Sequence, residues 1–207
     1  MMGGMGYSKE FHIERLWRAA GGQIRFIVCT HSHADHSPGA KPLQALCSPP
    51  PPILGLASLP TARANSAFTP DRALQDQELF ALVGQGPEGE ITHTLRVIHT
   101  PGHASDHLCF FLQEERALFS GDLILNGSTT VIPDEDGDLG QYLDSLRRVQ
   151  ELGVRHIYPA HGPVIEDGPG RIQEFIDHRM LRERQILEVL GGGSRTVPEI
   201  VKVIYAD

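Results

Sequence analysis

The chain has 207 residues, a formal net charge of −8, and a composition that is 40% hydrophobic and 21% charged. That describes a globular protein with one sizeable core and at most a small appendage. The acidity argues against a general nucleic-acid or anionic-membrane binder. No apolar run is long enough to span a membrane, and the opening "MMGGMGYSKEFHIERLW" lacks a basic-then-apolar leader pattern.

Taken in chain order, residues 7–20 predict a helix with Ile13, Leu16 and Trp17 on its apolar side, ended by Gly21-Gly22. "QIRFIVCT" is β-branched and aromatic and predicts a strand. The loop "HSHADHSPGA" follows, and "PGAKPLQALC" opens a short helix. Four consecutive prolines then give a polyproline-like connection, and "ILGLASL" reads as a strand. Positions 61–90 mix turn residues with one polar stretch, "PDRALQDQELFAL". "HTLRVIHT" reads as a strand, and "LCFFLQEERALFSGDLIL" as a hairpin turning at Gln113 to Arg116.

"DLGQYLDSLRRVQELG" is the clearest helix. Asp138 caps it, Gln141 sits three residues on, and Leu139, Tyr142, Leu143, Leu146, Val149 and Leu152 form its stripe until Gly153 stops it. "VRHIYPA" is a short strand. Residues 171–190 form a long helix with Ile172, Phe175, Ile176, Leu187 and Leu190 on one side. A break at Gly191–Gly193 precedes a last helix in "TVPEIVKVIYAD". Cys29 and Cys109 fall in apolar runs and, without CxxC spacing, read with Cys47 as reduced thiols.

The ligand-type residues recur in one context. His31, His33, Asp35 and His36 follow "RFIVCT", His103 follows "LRVIHTPG", Asp122 follows "ALFSG", and His161 follows "VRHIYPA". Four strand-like runs thus each end in a loop carrying His or Asp, and such loops converge on active sites. Imidazole and carboxylate suit Zn²⁺, Mn²⁺ or Fe²⁺. Five histidines and two aspartates exceed one tetrahedral site and suit two adjacent metals sharing a carboxylate. Asp106 and His107 read either as groups behind the ligands or touching substrate, or equally as polar loop residues. His99 and His156 read as structural, and His12 and His93 as surface residues. His178 reads as a helix-surface residue beside Arg179 and Arg182, with room for an anionic contact.

The motifs "THSHADH", "HTPGH", "FSGD" and "YPAHGP", in that order, resemble the metallo-β-lactamase superfamily. The segment "HGPVIEDGPGRIQEFIDHRMLRERQIL" is similar to the β-lactamase-like protein 2 group, whose core is glyoxalase II-like. The resemblance implies an α/β fold, a four-layer αββα sandwich, over residues 1–166. Residues 167–207 would be a long helix entering a winged-helix-like C-terminal domain, cut off after its first helix. Only 30 residues precede His31, and they read mostly as helix. The first sheet is therefore expected to lack N-terminal strands that the family carries.

The resemblance also implies roles. His31, His33 and His103 would hold one metal, Asp35, His36 and His161 a second, and Asp122 would bridge them. The expected cofactors are two divalent ions, zinc first, with manganese or iron open. A hydroxide held between two dications would attack an ester, thioester, amide or phosphodiester. Asp35 would orient that nucleophile and pass its proton to the leaving group. The expected activity is that of a cytoplasmic metal-dependent hydrolase acting on a small-molecule ester or thioester, or on single-stranded RNA as an endoribonuclease. A metal-binding fragment without turnover and a glyoxalase II-like thioesterase are the alternatives. No GxSxG elbow, GxxxxGK[ST] or GxGxxG motif supports another chemistry.

Overall fold

The computed structural model describes residues 9–60, 66–87 and 89–206. Helix α1 (Lys9–Ala19) leads into strand β1 (Ile27–Val28), helix α2 (Ala40–Ala45), and strands β2 (Ile53–Gly55) and β3 (Arg72–Ala73). Strands β4 (Leu79–Gly86), β5 (Gly89–His99), β6 (Leu108–Leu112) and β7 (Ala117–Gly121) come next. The chain finishes with α3 (Leu139–Glu151), β8 (His156–Pro159), α4 (Gly168–Gly191) and α5 (Val197–Ile204). Among the described residues, no helix is long and apolar enough to cross a membrane.

Strands β1–β3 form a parallel sheet in sequence order, and β4–β8 form a second sheet, also in sequence order. The second sheet is antiparallel except for the parallel pair β7–β8. Side-chain alternation divides its residues between two cores. Leu95, Val97, Leu108 and Phe110 join Leu54 of β2 in the core between the sheets. Ile98, Cys109, Phe111, Leu118 and Ile157 join Tyr142, Leu146, Val149, Ile172 and Phe175 in the core beneath α3 and α4. Cys29, Ala40 and Ile53 form a small third cluster that includes α2. The layers are therefore helix, sheet, sheet, helix.

Helix α3 forms where the spacing predicts it. The Asp138 side chain accepts from the Gln141 N–H at 2.8 Å, and Gly153 ends the helix at φ +64°. Tyr142, Leu143, Leu146 and Val149 are buried, whereas Leu139 is exposed. Each fully buried aliphatic side chain contributes about 1.5–3 kcal/mol.

Several elements differ from the sequence expectation. Within 61–90, residues 61–65 lie outside the described residues, but Leu79–Gly86 is a full strand paired with β5 from Leu79↔Arg96 to Gly86↔Gly89. Its inward side is Phe80 and Leu82, too short a signal to stand out without the partner strand. The strands expected over 23–30 and 53–59 are cut to Ile27–Val28 and Ile53–Gly55. The first leaves the ladder after the Cys29 N–H donates to the Leu54 carbonyl at 2.9 Å, because the chain then turns into the loop that carries His31 to His36. In α4, Ile172, Phe175 and Ile176 are buried, but Leu187 and Leu190 are exposed, since that half of the helix runs past the sheet core.

Strands β5 and β7 both run antiparallel to β6, and β8 runs parallel to β7. All three therefore end at one edge of the large sheet. His103, Asp122 and His161 lie just beyond those ends, and the loop after β1 meets them there.

Candidate metal centre

The loop after β1 is tied to the large sheet and to the loop before β6 on either side of its first histidine. The Leu108 N–H donates to the Thr30 carbonyl at 2.7 Å, and the Ser32 N–H donates to Asp106 Oδ2 at 3.1 Å. The His36 and Ser37 N–H groups both donate to the His33 carbonyl, at 2.9 and 3.2 Å. That turn brings His36 back against His31, with ring centres 4.0 Å apart.

Two glycines shape the other loops. Gly102 has φ +132°, and a Cβ there would collide with the Tyr142 backbone. Gly121 has φ +50°, and a Cβ there would lie 2.7 Å from His107 Nε2 and 2.9 Å from Thr30 Cβ. Only glycine offers both the conformation and the clearance.

All seven residues singled out by the motifs converge. His33 Nδ1 lies 3.1 Å from His31 Nε2 and 3.0 Å from His103 Nε2. Asp122 Oδ2 lies 3.4 Å from His36 Nε2 and 3.5 Å from His103 Nε2. His161 Nε2 lies 3.2 Å from Asp35 Oδ2 and 3.6 Å from Asp122 Oδ1, and Asp35 Oδ2 is 3.5 Å from His36 Nε2. Among the described residues, three groups have their ligand atoms mutually within 4.8 Å: His31, His33 and His103; His31, His36 and Asp122; and Asp35, His36 and His161.

The donor set fits divalent cations. The 3.0–3.1 Å nitrogen separations approach the ~3.3 Å edge of a tetrahedron with ~2.05 Å ligand bonds. His36 Nε2 and Asp122 Oδ1 are buried atoms without a hydrogen-bond partner, an arrangement that is costly unless something else satisfies them. His103 Nδ1 lies 2.6 Å from the Val131 carbonyl, which orients the ring and leaves Nε2 facing the cluster. Burial, with His107, His36, His103 and His33 around it, pushes the His31 pKa far down and keeps its ring neutral. Burial pushes the Asp122 pKa up, but His36, His103 and His161 outweigh it, so the net shift is downward.

The surrounding residues are as ordered as the cluster. Burial raises Asp106 to about 6, while it accepts from Ser32. Burial lowers His107 to about 3, and pushes the Cys29 and Cys109 thiols up to about 11 and about 12. All three cysteines are free and buried, as expected. His99 Nε2 lies 3.0 Å from the Ser105 carbonyl, and His156 Nδ1 lies 2.9 Å from Glu166 Oε2. His12 is exposed, and His93 is half-buried beside Glu114. His178 is half-buried and borders a groove of about 1010 Å³ between α4 and residues 126–129.

Sequence reasoning misses the strap at 130–131. Thr130 Oγ1 donates to the Asp122 carbonyl at 2.9 Å, Val131 holds His103, and Arg179 of α4 donates to the Thr130 carbonyl. Arg179 also lies 5.3 Å from the Tyr142 ring centre. No local pattern marks these residues, because each acts across the fold.

Comparison with known proteins agrees with this geometry. The family model for the metallo-beta-lactamase superfamily matches residues 3–161. A beta-lactamase-like protein 2 homolog from Caenorhabditis elegans is 39% identical over 186 residues, covering 89% of this chain and 58% of that protein. An atrochrysone carboxyl ACP thioesterase from Aspergillus fumigatus is 35% identical over 198 residues, covering 88% of this chain and 56% of that protein. This chain therefore spans a little over half the length of these relatives. A crystal structure of a metallo-beta-lactamase family protein from Thermus thermophilus shares the fold. Its TM-score is 0.68 at 23% identity, covering 95% of this chain and 73% of that one. The family match, the two-sheet architecture and the seven converging side chains place this chain in the metallo-beta-lactamase superfamily.

Proposed function

We propose that the protein is a dinuclear metal-dependent hydrolase acting on an ester or thioester. The observation that carries this reading is Asp122, whose Oδ2 lies 3.5 Å from His103 Nε2 on one side and 3.4 Å from His36 Nε2 on the other. His31, His33 and His103 would hold one cation, and Asp35, His36 and His161 the other, with Asp122 shared. Bound divalent cations supply Lewis acidity and acidify water near neutral pH.

The chain's own groups do the rest. The imidazoles offer ring-nitrogen lone pairs, and the Asp122 main chain is braced by Thr130 and by His107. Asp35 is the exposed carboxylate of the cluster, with its side chain 61% accessible. Its Oδ2 faces His161 Nε2 at 3.2 Å, which leaves Oδ1 as its second oxygen. That second oxygen can take a proton from attacking water and return it to the leaving group.

An ester or thioester substrate is favoured by a cavity of about 790 Å³ beside Asp35 and His36. Its walls include Ile13, Leu16, Ile27, Val28, Ala40 and Leu43, a surface suited to an acyl chain. The relative named as a thioesterase supports the same chemistry.

The test is a panel of acyl thioesters, aliphatic esters and single-stranded RNA, assayed with zinc-loaded protein and after chelation. Chelator-sensitive turnover of an ester or thioester is expected. RNA cleavage without ester turnover would reassign the substrate. Two bound ions with no turnover on the whole panel would reduce the protein to a metal-binding fragment.

A further inference from the structure

His107 is fully buried, with its ring centre 5.0 Å from that of His31 and 6.2 Å from that of His103, yet it belongs to none of the three ligand groups. Its contacts explain why. The Asp122 main-chain N–H donates to His107 Nε2 at 3.1 Å. An amide nitrogen can only donate there, so Nε2 carries no proton. In the neutral ring the proton is then on Nδ1, which lies 2.8 Å from Thr100 Oγ1.

The rest of the chain of bonds follows in one direction. Thr100 accepts from His107, so its own hydroxyl proton goes to Cys109 Sγ at 3.4 Å. The Cys109 thiol donates to the Ser120 carbonyl at 3.4 Å, an atom that only accepts. Every proton along this path has one place to go. The path starts at Asp122 and ends at Ser120, so it closes around the end of β7. Gly121, between them, has no Cβ to push the His107 ring away.

We propose that His107 is a positioning residue: as the Nδ1-protonated tautomer it fixes the Asp122 main chain through Nε2, and thereby aims the Asp122 carboxylate at both cation sites. The tautomer follows from the bonds above, and the effect on cation binding rests on the dinuclear reading. A ring nitrogen spent on a main-chain N–H is unavailable for ligation, which separates His107 from His31, His33 and His103.

Two measurements test this. In metal-free, ¹⁵N-labelled protein, the His107 ring should show a protonated Nδ1 and a bare Nε2. An Nε2-protonated ring or an imidazolium would overturn the assignment. The second compares His107→Gln, whose side-chain carbonyl reaches the Nε2 position, with His107→Asn, whose shorter side chain ends near Thr100 and leaves the Asp122 N–H unpaired. Zinc competition titrations should show the weaker of two cations losing roughly 10–100-fold in affinity in the asparagine variant, and staying within about threefold of wild type in the glutamine variant. Equal losses in the two variants, or no loss with asparagine, would overturn the positioning role. Wild-type protein that has the predicted tautomer but binds no cation would refute the dinuclear reading and leave the tautomer standing.

Discussion

The five-stranded sheet has strands of up to 11 residues and shares a 16-residue buried cluster with α3 and α4. The three-stranded sheet has strands of two or three residues and a small cluster around Cys29, Ala40 and Ile53. Its inner face also packs through Leu54 into the core between the sheets, and polar ties add to that packing. Asp71 accepts from Lys41 at 2.8 Å, from Gln44 at 2.6 Å and from the Ile53 N–H at 2.9 Å, joining α2 to the start of β2. Its ligand loop is pinned to the large sheet at Thr30 and to the loop before β6 at Ser32. Four of the seven converging side chains lie on that loop, and three lie at the large-sheet edge. The site therefore depends on a loop from the lightly packed sheet being held in register against a heavily packed one.

The largest effect is expected where the two halves meet. Asp122→Ala should lower the proposed hydrolysis on the order of 10³-fold, measured as kcat/KM on the best substrate of the panel. An unchanged rate would mean that the halves do not cooperate through Asp122.

Next comes the large core. Leu118 is fully buried, and Leu118→Ala should cost about 2–5 kcal/mol in urea unfolding. A loss below about 1 kcal/mol would remove the claim that this half carries the stability.

The small sheet should respond to acid. Its hydrogen bond from Lys41, followed by those from Ile53 and Gln44, holds the Asp71 carboxyl down at about 2, against an ordinary value of 3.8. A depressed carboxylate stabilises the fold above its unfolded pKa, and that contribution is lost as pH falls through its folded pKa. Hydrogen-exchange protection of β2 should therefore decline between about pH 4 and pH 2 while β6 and β7 stay protected. Asp71→Asn should flatten that response. Both sheets opening together would contradict the contrast.

The smallest effect is expected at the far end of α4. Leu187 is 61% exposed, and Leu187→Ala should change unfolding free energy by no more than about 0.5 kcal/mol. A larger loss would show that this surface is packed in solution.

What could be read from the sequence follows the same division. The convergence of the His/Asp loops was legible because each carries its residues in a short motif after an apolar run, as in "THSHADH" and "HTPGH". The Asp138 cap and the Gly153 stop were legible because capping is local. Strand β4 was not, because Phe80 and Leu82 become a buried face only once β5 pairs alongside them. The burial of α4 was overestimated at Leu187 and Leu190, because periodicity reports a helix face and not how far the opposing sheet extends. His107 was visible as a candidate, but its role was not. That role needs Thr100 at the end of β5 and Asp122 beyond β7, which only sheet pairing brings together.

The central claim is two cation sites sharing Asp122. Metal-free wild-type and Asp122→Ala proteins, dialysed to equilibrium against zinc and measured by elemental analysis, test it most directly. Two ions per wild-type chain and at most one in the variant are expected. A wild type that retains no ion, or a variant that retains two, would contradict it.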